Sequence, residues 1–548
     1  MRCEYDLNGI WDFEFSKTDI KPENLTFPNK ITVPGCFDAM PEYAEKRGIG
    51  SYRRTVRCGG LVKLELEAIG LRADIFWDGK PIGKAVHPYS PEIFRFDAGP
   101  EGEHELVIMT DNRLEEGNST LFYPFYDFYG YGGIYRNVRL TELPPFYLDR
   151  AEVIPENIED GTVRIRLFPG GEVPESFPVS IRFDGGEERQ FEVKRDQTSF
   201  RCRVPDFRIW SPETPYLHRV AISIPDDSLS VEFGIRKIEC HKGKLLLNGK
   251  ALKLVGWNRH ESHPEFGSAT PDFLTCSDLQ MIKSQGCNFI RGCHYKQKDS
   301  MLTMCDRMGL LVWEESLGWG NNADQLSDPE FIRLQCEQTE IMVKSSINHP
   351  SVILWGFLNE SHSDSPEAEP MFRRLFETIR KSDPSRPVTY ASNRYEKDLF
   401  LGMADVISFN IYPGWYDFDY DRESDGLERI VPKLEELAGI ASSPEYIDKP
   451  LILSEIGAAA IIGDHSGLMW SEEYQADLLE ISVRHVLENP RYAGIAIWQF
   501  SNSRTYTKTS SVVGRPRGFN NKGGVDEYRH PKLAWKRVAD ICKEFAAR

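Results

Sequence analysis

Residues 348–360 read NHPSVILWGFLNE, and this stretch indicates the fold of the larger part of the chain. The apolar run within it is short, as expected for a strand that is buried on both faces of a parallel sheet. The run closes with Asn359 and Glu360, and a second run, LILSE, closes in the same way at Glu455. Two buried strands that each end in a carboxylate predict a site at one edge of a sheet.

Eight short apolar runs of this kind follow residue 241, and helical patterns lie between them. One helix is expected over residues 300–308, with Asp299 as its cap and Gly309 as its stop, and another over 371–381. Eight strand–helix units in about 300 residues is the count of a (β/α)8 TIM barrel, whose catalytic groups lie at the carboxyl ends of the strands. The predicted strands are 254–257, 289–291, 310–313, 352–355, 388–391, 406–409, 451–453 and 495–498.

The first 240 residues have a different pattern, in which short alternating strands are separated by Gly, Pro and Asp. Asp78 and Gly79 predict a tight turn between two of these strands. We predict a β-sandwich over residues 1–145 and a smaller, immunoglobulin-like β-sandwich over 146–240. The fold class is therefore two N-terminal β-sandwiches followed by a C-terminal (β/α)8 TIM barrel over 241–548.

The composition of the 548 residues is that of a globular protein, and the formal charge is −18. This charge argues against nucleic acid or a membrane surface as a partner, because both are polyanionic. The 11 cysteines form no CxxC motif, and no apolar leader stands at the N terminus, so we expect a cytoplasmic protein. Glu314, Glu315, His362 and Asp364 fit no standard metal site, and we expect neither a metal nor a cofactor.

The two carboxylates suit glycoside hydrolysis, which needs one group to protonate the leaving oxygen and another to act at the anomeric carbon. The fourth and seventh strands of a barrel face each other, which allows the short separation, about 5–5.5 Å, of a retaining enzyme. Our hypothesis is that Glu455 is the nucleophile and Glu360 the acid/base. The amide of Asn359 is placed to orient the 2-hydroxyl of the sugar.

The loop FNNKG at residues 519–523 bears on the substrate. The amide of Asn520 and the ammonium of Lys522 stand two positions apart and can grip one small anion such as a carboxylate. A neutral sugar would leave that ammonium without a partner. The loop therefore predicts an acidic sugar as substrate.

Several motifs carry a resemblance to a known family. The chain resembles a family 2 glycoside hydrolase over nearly its whole length, and within that family the β-glucuronidase branch. The motifs are NGIW at 8–11, SYRR at 51–54, DFYGYGGIYR at 127–136, NRHE at 258–261, NFIRGCHY at 288–295 and NHPSV at 348–352.

The resemblance implies the roles of individual residues. It makes the first sandwich a sugar-binding-type jelly roll, Glu360 the acid/base and Glu455 the nucleophile. It implies that Asn520 and Lys522 hold the C6 carboxylate of a uronic acid, and it suggests a homo-oligomer, either a dimer or a tetramer. The sugar pocket that it implies also contains Asp127, His294, Asn359, Asn410, Tyr412, Tyr416 and Trp498.

The chain departs from the family pattern at three places. Lys296 stands where the family usually has a proline, which would add a cation near the mouth of the site. Pro516 stands where an arginine is frequent, although it is flanked by Arg515 and Arg517. No long insertion follows Glu315, which suggests an open mouth that accepts bulky aglycones or oligosaccharides.

Four functions remain open from the sequence. The leading one is a retaining exo-β-D-hexuronidase that acts on β-glucuronides, and the nearest alternative is a β-galacturonidase, or an enzyme with both activities. Asn520 and Lys522 would serve both sugars, and Asp127 is the candidate that reads the 4-hydroxyl. A β-galactosidase is less favoured because of Lys522, and a non-catalytic carbohydrate-binding protein is least favoured because both glutamates are intact. Arg259 is expected either to hold Glu455 or to contact the substrate, and His260 to lie behind the pocket.

Overall fold

Three regions of regular structure follow one another along the chain. The computed structural model describes residues 2–114, 121–416, 426–506 and 514–546. Antiparallel sheets occupy the first two regions, and a parallel eight-stranded sheet with helices occupies the third. This confirms the predicted class of two β-sandwiches followed by a (β/α)8 barrel. The domain boundaries near 145 and 240 stay predictions.

The first region packs a four-stranded sheet, in the order β1-β12-β6-β9, against a six-stranded sheet, β3-β2-β5-β10-β7-β8. Alternate residues of β6 are buried, so Val62 and Leu64 face the core while Lys63 faces outward. Asp78 and Gly79 both have positive φ, as the predicted two-residue turn requires. The strands are β1 Cys3–Asp6, β2 Gly9–Ser16, β3 Asn29–Val33, β4 Gly35–Cys36, β5 Ile49–Cys58, β6 Leu61–Leu66, β7 Arg72–Trp77, β8 Lys80–Ala85, β9 Glu92–Asp97, β10 Gly102–Asp111, β11 Gly133–Ile134 and β12 Val138–Glu142.

The second region has a three-stranded sheet, β13-β14-β17, and a four-stranded sheet, β16-β15-β18-β19, which share one apolar core. A small antiparallel sheet of β20, β21 and β22 leads into the barrel. The strands are β13 Phe146–Asn157, β14 Thr162–Gly171, β15 Ser176–Phe183, β16 Glu188–Lys194, β17 Ser199–Arg203, β18 His218–Ile224, β19 Asp227–Phe233, β20 Ile238–His241, β21 Lys244–Leu247 and β22 Lys250–Leu252.

The third region is the barrel, whose strands pair in parallel in the order β26-β25-β24-β23-β30-β29-β28-β27. A parallel bridge between Trp355 and Val388 joins its two ends. The strands are β23 Leu254–Arg259, β24 Phe289–Gly292, β25 Leu311–Glu315, β26 Val352–Gly356, β27 Ala391–Ser392, β28 Ile407–Asn410, β29 Leu451–Glu455 and β30 Tyr492–Ile497. The short pair β31 Ser503–Arg504 and β32 Phe519–Asn520 follows.

The helices fill the positions between the barrel strands. The predicted cap at Asp299 is wrong by one residue, because Asp299 is the first helical residue and Lys298 precedes it as N-cap. Gly309 ends this helix with a φ of 69°, as predicted. None of the helices in the described part of the chain is long and apolar enough to cross a membrane. The helices are α1 Asp272–Ser284, α2 Asp299–Met308, α3 Ala323–Ser327, α4 Pro329–Ser346, α5 Glu369–Ser382, α6 Ile430–Ala441, α7 Glu472–Glu488 and α8 Leu533–Ala546.

Residues 121–131, which precede β11, leave the core of the first sandwich and pack on the barrel. The Phe128 ring lies 5.0 Å from the His260 ring, centroid to centroid. Arg136 donates to the Glu261 carboxylate at 2.7 Å, and both side chains are buried. These two contacts hold the chain that follows Asp127, and Asn321 Nδ2 donates to the Tyr126 hydroxyl at 3.2 Å just before it. This is how a residue of the sandwich reaches the mouth of the barrel.

Candidate active site

A cavity of about 950 Å³ opens at the carboxyl ends of the barrel strands. Three other predicted site residues lie just behind the lining and are buried. Asn359 and Lys522 bond to the lining residues Asn410 and Tyr416, and His294 stacks on Trp498. All eleven predicted site residues are therefore gathered at one place. The eight that line the cavity are Asp127, Glu360, Asn410, Tyr412, Tyr416, Glu455, Trp498 and Asn520.

Glu455 is the last residue of β29, and both of its oxygens accept hydrogen bonds. Arg291 Nη1 donates to Oε1 at 2.8 Å, and the Tyr412 hydroxyl donates to Oε2 at 2.5 Å. Burial raises the pKa of Glu455, while Arg291 and Tyr412 favour its charged form and oppose that rise. A carboxylate held by two donors with its face toward a cavity is suited to nucleophilic attack.

Glu360 follows β26 and has a φ of 52°, in the left-handed region that non-glycine residues rarely adopt. Its backbone N–H donates to the Ala391 carbonyl at 2.9 Å, and Asn410 Nδ2 donates to its Oε1 at 2.9 Å. Burial and the nearby charge of Glu455 raise the pKa of Glu360 to about 8. Glu360 is therefore protonated at neutral pH, as a general acid must be.

Asn359 connects the two carboxylates. Its Oδ1 accepts from Arg291 Nη2 at 2.8 Å and from Asn410 Nδ2 at 3.0 Å. These two donors fix the orientation of the amide, because only its oxygen can accept. The Nδ2 group of Asn359 is buried and has no hydrogen-bond partner among the described residues. This donor is available for a sugar hydroxyl. From the sequence, we expect the amide of Asn359 to orient the 2-hydroxyl.

Two histidines lie behind the cavity. The His294 ring stacks on Trp498 at 5.3 Å, and its Nδ1 lies 3.1 Å from Glu315 Oε2. Its Nε2 lies 3.7 Å from Glu455 Oε1. The His260 ring packs edge-on against Trp498, and its Nδ1 lies 3.2 Å from the Tyr295 hydroxyl. The Nε2 atoms of both rings are buried without a hydrogen-bond partner in the described chain.

His260, Cys293 and His294 form a group that could hold a metal ion, since one donor atom from each lies within 4.8 Å of the others. The surroundings oppose this role. Burial raises the pKa of the Cys293 thiol well above its usual range, and the Arg291 guanidinium, whose Nη2 lies 3.3 Å from His294 Nδ1, would repel a metal cation. A neutral thiol beside a guanidinium is a poor ligand, so the imidazoles are better suited to bond the hydroxyls of a sugar.

The predicted anion grip lies close enough to Glu360 and Glu455 for their charges to act on Lys522. Lys522 is 1% exposed, and its Nζ donates to the Tyr416 hydroxyl at 2.6 Å. Asn520 Nδ2 donates to Asp127 Oδ2 at 3.2 Å, and Arg515 bonds both Asp127 and Tyr416, so Asn520 and Lys522 end at neighbouring groups. Burial and then Arg515 hold the pKa of Lys522 well below its usual range. The ammonium is thus placed where an arriving carboxylate would stabilise it.

Two expectations about neighbouring cations are wrong. Arg259 neither holds Glu455 nor reaches the cavity, because its guanidinium pairs with Asp278 at 2.9 Å. Lys296 adds no cation to the mouth, since its Nζ donates to the Gln297 carbonyl and the residue lines a separate cleft between the sandwiches and the barrel. Both predictions failed because the sequence does not show which way a side chain points. Arg259 points toward Asp278, and Lys296 points toward the Gln297 carbonyl.

Three residues of the site were missed by the sequence analysis. Arg291 bonds Glu455, Asn359 and Glu315 at once, although the motif that contains it gave it no role. Glu315 is the counter-charge of Arg291, whose Nε donates to its Oε1 at 2.6 Å. Arg515 lines the cavity and bonds Asp127. A signal for Arg291 was present, because an arginine within a fully buried strand requires acidic partners.

The fold and the paired carboxylates define a glycoside hydrolase, and comparison with known proteins identifies the family. Residues 238–540 match the model of the TIM barrel domain of glycosyl hydrolases family 2. The chain belongs to this family.

Two kinds of relative agree with this assignment. β-Glucuronidase from Sus scrofa is 31% identical to the chain, and the alignment covers 96% of this chain and 89% of the pig enzyme. The crystal structure of a family 2 β-galacturonidase from Eisenbergiella tayi, bound to galacturonate, has a TM-score of 0.90 at 32% identity and covers 99% and 97% of the two chains. β-Glucuronidase from Bifidobacterium dentium, complexed with coumarin-3-O-glucuronide, has a TM-score of 0.89 at 25% identity, with the same coverage.

Proposed function

We propose that this protein is a retaining exo-β-D-hexuronidase that hydrolyses terminal β-D-glucuronides. The observation that carries the proposal is the burial of Lys522, whose ammonium, among the described residues, donates its side-chain hydrogen bond to a tyrosine hydroxyl and not to a carboxylate. A buried ammonium is costly unless it acquires a counter-charge, and the C6 carboxylate of a uronic acid supplies one. The β-glucuronidases among the relatives support the same substrate class.

The proposed reaction has two steps. In the first, Glu455 attacks the anomeric carbon while Glu360 gives its proton to the departing oxygen, and a covalent glycosyl-enzyme forms. In the second, Glu360 takes a proton from water, and the water oxygen replaces Glu455 at the same carbon. The arrangement supports these roles, because Glu455 is held by two donors and Glu360 has a pKa of about 8. Asn359 and His294 would bond the sugar hydroxyls in both steps.

β-Galacturonides are the second candidate substrate. The β-galacturonidase from Eisenbergiella tayi resembles this chain in sequence and shape as closely as the β-glucuronidases do. The two sugars differ only at C4, and Asp127 stays our candidate for the residue that reads the 4-hydroxyl. A neutral β-galactoside is disfavoured because it would leave Lys522 without a counter-charge.

Three further expectations belong to this proposal. We infer an assembly of two or four copies and a cytoplasmic location from the family resemblance and the cysteine pattern. We also infer that the mouth accepts bulky aglycones. Phe125 and Trp319 line the outer part of the cavity, and Phe125 is 41% exposed, so a flat leaving group has an aromatic surface to contact.

Turnover of the p-nitrophenyl β-D-glucuronide, β-D-galacturonide and β-D-galactoside tests the proposal. We expect the glucuronide to be cleaved with the highest kcat/KM and the galactoside with the lowest. The control is Glu455→Gln, which should abolish turnover of all three. A preference for galacturonide would establish the second candidate, and a preference for the galactoside would refute an acidic substrate.

A further inference from the structure

Arg515 lies in the wall of the cavity, and its side chain is only 9% exposed. Its Nε donates to Asp127 Oδ1 at 3.0 Å, and its Nη2 donates to Asp127 Oδ2. The same Nη2 also donates to the Tyr416 hydroxyl at 3.1 Å. Arg515 thus holds Asp127 with two parallel bonds, the geometry in which an arginine neutralises a carboxylate most completely.

The Asp127 carboxylate is saturated by its neighbours. In addition to Arg515, it accepts from the Thr505 hydroxyl and from Asn520 Nδ2, each at 3.2 Å. Four donors therefore point at its two oxygens. Three carboxylates favour the charged form of Lys522, and Asp127 acts more strongly than Glu455 or Glu360.

Tyr416 lies between the two cations. Its hydroxyl accepts from Lys522 Nζ and from Arg515 Nη2. Among the described residues, Arg515 and Asp127 form an ion pair, whereas the side-chain hydrogen bond of Lys522 goes to the Tyr416 hydroxyl. Pairing within the wall thus leaves Lys522 as the cation that a carboxylate on the substrate can meet. If Arg515 were absent, Asp127 would be the counter-charge of Lys522, and it would also repel a carboxylate that approached.

We propose that Arg515 sets the preference for an acidic sugar by cancelling the charge of Asp127, which leaves Lys522 for the carboxylate of the substrate. Arg515 is a positioning residue in this scheme, since it acts through Asp127 and Lys522. The inference rests on the proposed function and concerns the same site. If Arg515 contacted the substrate carboxylate directly, removing the charge of Asp127 would not compensate for the loss of Arg515. If Arg515 acts through Asp127, removing that charge should compensate for it.

The test compares Arg515→Met with the double variant Asp127→Asn/Arg515→Met. In Arg515→Met we expect KM for the p-nitrophenyl uronide, and the inhibition constant of the free uronate, to rise about 30-fold or more. The inhibition constant of the neutral monosaccharide with the same C4 configuration should change less than about threefold. The double variant should recover most of the lost uronate affinity, because the competing carboxylate is gone while an amide at position 127 can still bond the 4-hydroxyl.

Arg517→Met is the matched control. Arg517 stands two residues away on the same loop, but its side chain is 52% exposed and pairs with Glu527 at 2.7 Å. This variant should keep the wild-type KM for the uronide. Arg515→Lys retains the charge without the two parallel bonds, and it should fall between wild type and Arg515→Met. If Arg515→Met does not fold, Arg515→Lys takes its place in the test.

Two results would overturn the inference. One is an equal loss of affinity for the acidic and the neutral monosaccharide in Arg515→Met, which would show a merely structural role. The other is a double variant no better than the single one. A wild-type enzyme that does not cleave uronides would refute the proposed function itself. If wild type cleaves uronides and this activity is lost in a Lys522 variant but not in Arg515→Met, only this inference is refuted.

Discussion

The protonation of Glu360 gives a prediction that can be developed in detail. The structure raises the pKa of this carboxyl to about 8, through burial and the neighbouring Glu455. As the acid, Glu360 must hold its proton when the substrate arrives. Activity should therefore be present below the pKa and be lost as the pH rises through it.

The size of the effect follows from the pKa. With a pKa of about 8, the protonated form outnumbers the charged form about ten to one at pH 7, and the ratio is reversed near pH 9. The kcat/KM of wild type should thus fall about tenfold between these two pH values. Glu360→Gln has no proton to lose, so its kcat/KM should be low and flat over the same range.

The leaving group provides a second readout. A p-nitrophenolate departs with little help, whereas an alkoxide needs its proton. In Glu360→Gln we expect kcat/KM to fall about 10²–10⁴-fold for a methyl or other alkyl uronide and less than about tenfold for the p-nitrophenyl uronide. Glu367→Gln, an exposed carboxylate on the same loop, is the control and should match wild type. Equal losses for both leaving groups, or an unchanged alkaline limb, would refute the role of Glu360.

Two further predictions follow from the same contacts. Tyr412→Phe removes the donor to Glu455 Oε2, and a bond to a charged group is worth about 1.5–3 kcal/mol. The pKa of Glu455 should therefore rise and move the acid limb of kcat/KM up by about 1–2 pH units; an acid limb at the wild-type position would contradict this. His349 is buried between Asp306 and Asp299, and although burial opposes its charge, the two carboxylates raise its pKa to about 10. Its stabilising effect should therefore be complete below its usual pKa and be lost as the pH rises through about 10. His349→Gln should lower the melting temperature by several degrees near pH 6 and by much less near pH 10.5, and a difference that does not depend on pH would argue against this.

The barrel was predictable from the sequence because its strands are buried on both faces. Such strands read as short apolar runs, and the polar residue that closes each run marks the end at which the site lies. Glu360, Asn410 and Glu455 were found in this way. The contact between Asp127 and the barrel was not visible in any such pattern, and the family resemblance alone indicated it.

The direction of single side chains could not be predicted. Arg259 and Arg291 both come from barrel strands, yet only Arg291 points to the catalytic carboxylates. On the loop before Asn520, the spacing of the family pattern falls on Pro516. Arg517 takes a φ of 62°, which turns it outward to Glu527, while Arg515 points into the cavity. A local backbone conformation of this kind is set by the surrounding structure and leaves no periodic signal in the sequence.

Lys522→Ala tests the central claim most directly, because this side chain is the proposed partner of the substrate carboxylate. The measurement is kcat/KM for the p-nitrophenyl β-D-glucuronide and β-D-galacturonide in the variant and in wild type, with the β-D-galactoside as the neutral comparison. We predict a loss of about 30-fold or more for the uronides and little change for the galactoside. Uronide turnover that is indifferent to Lys522 would contradict the account.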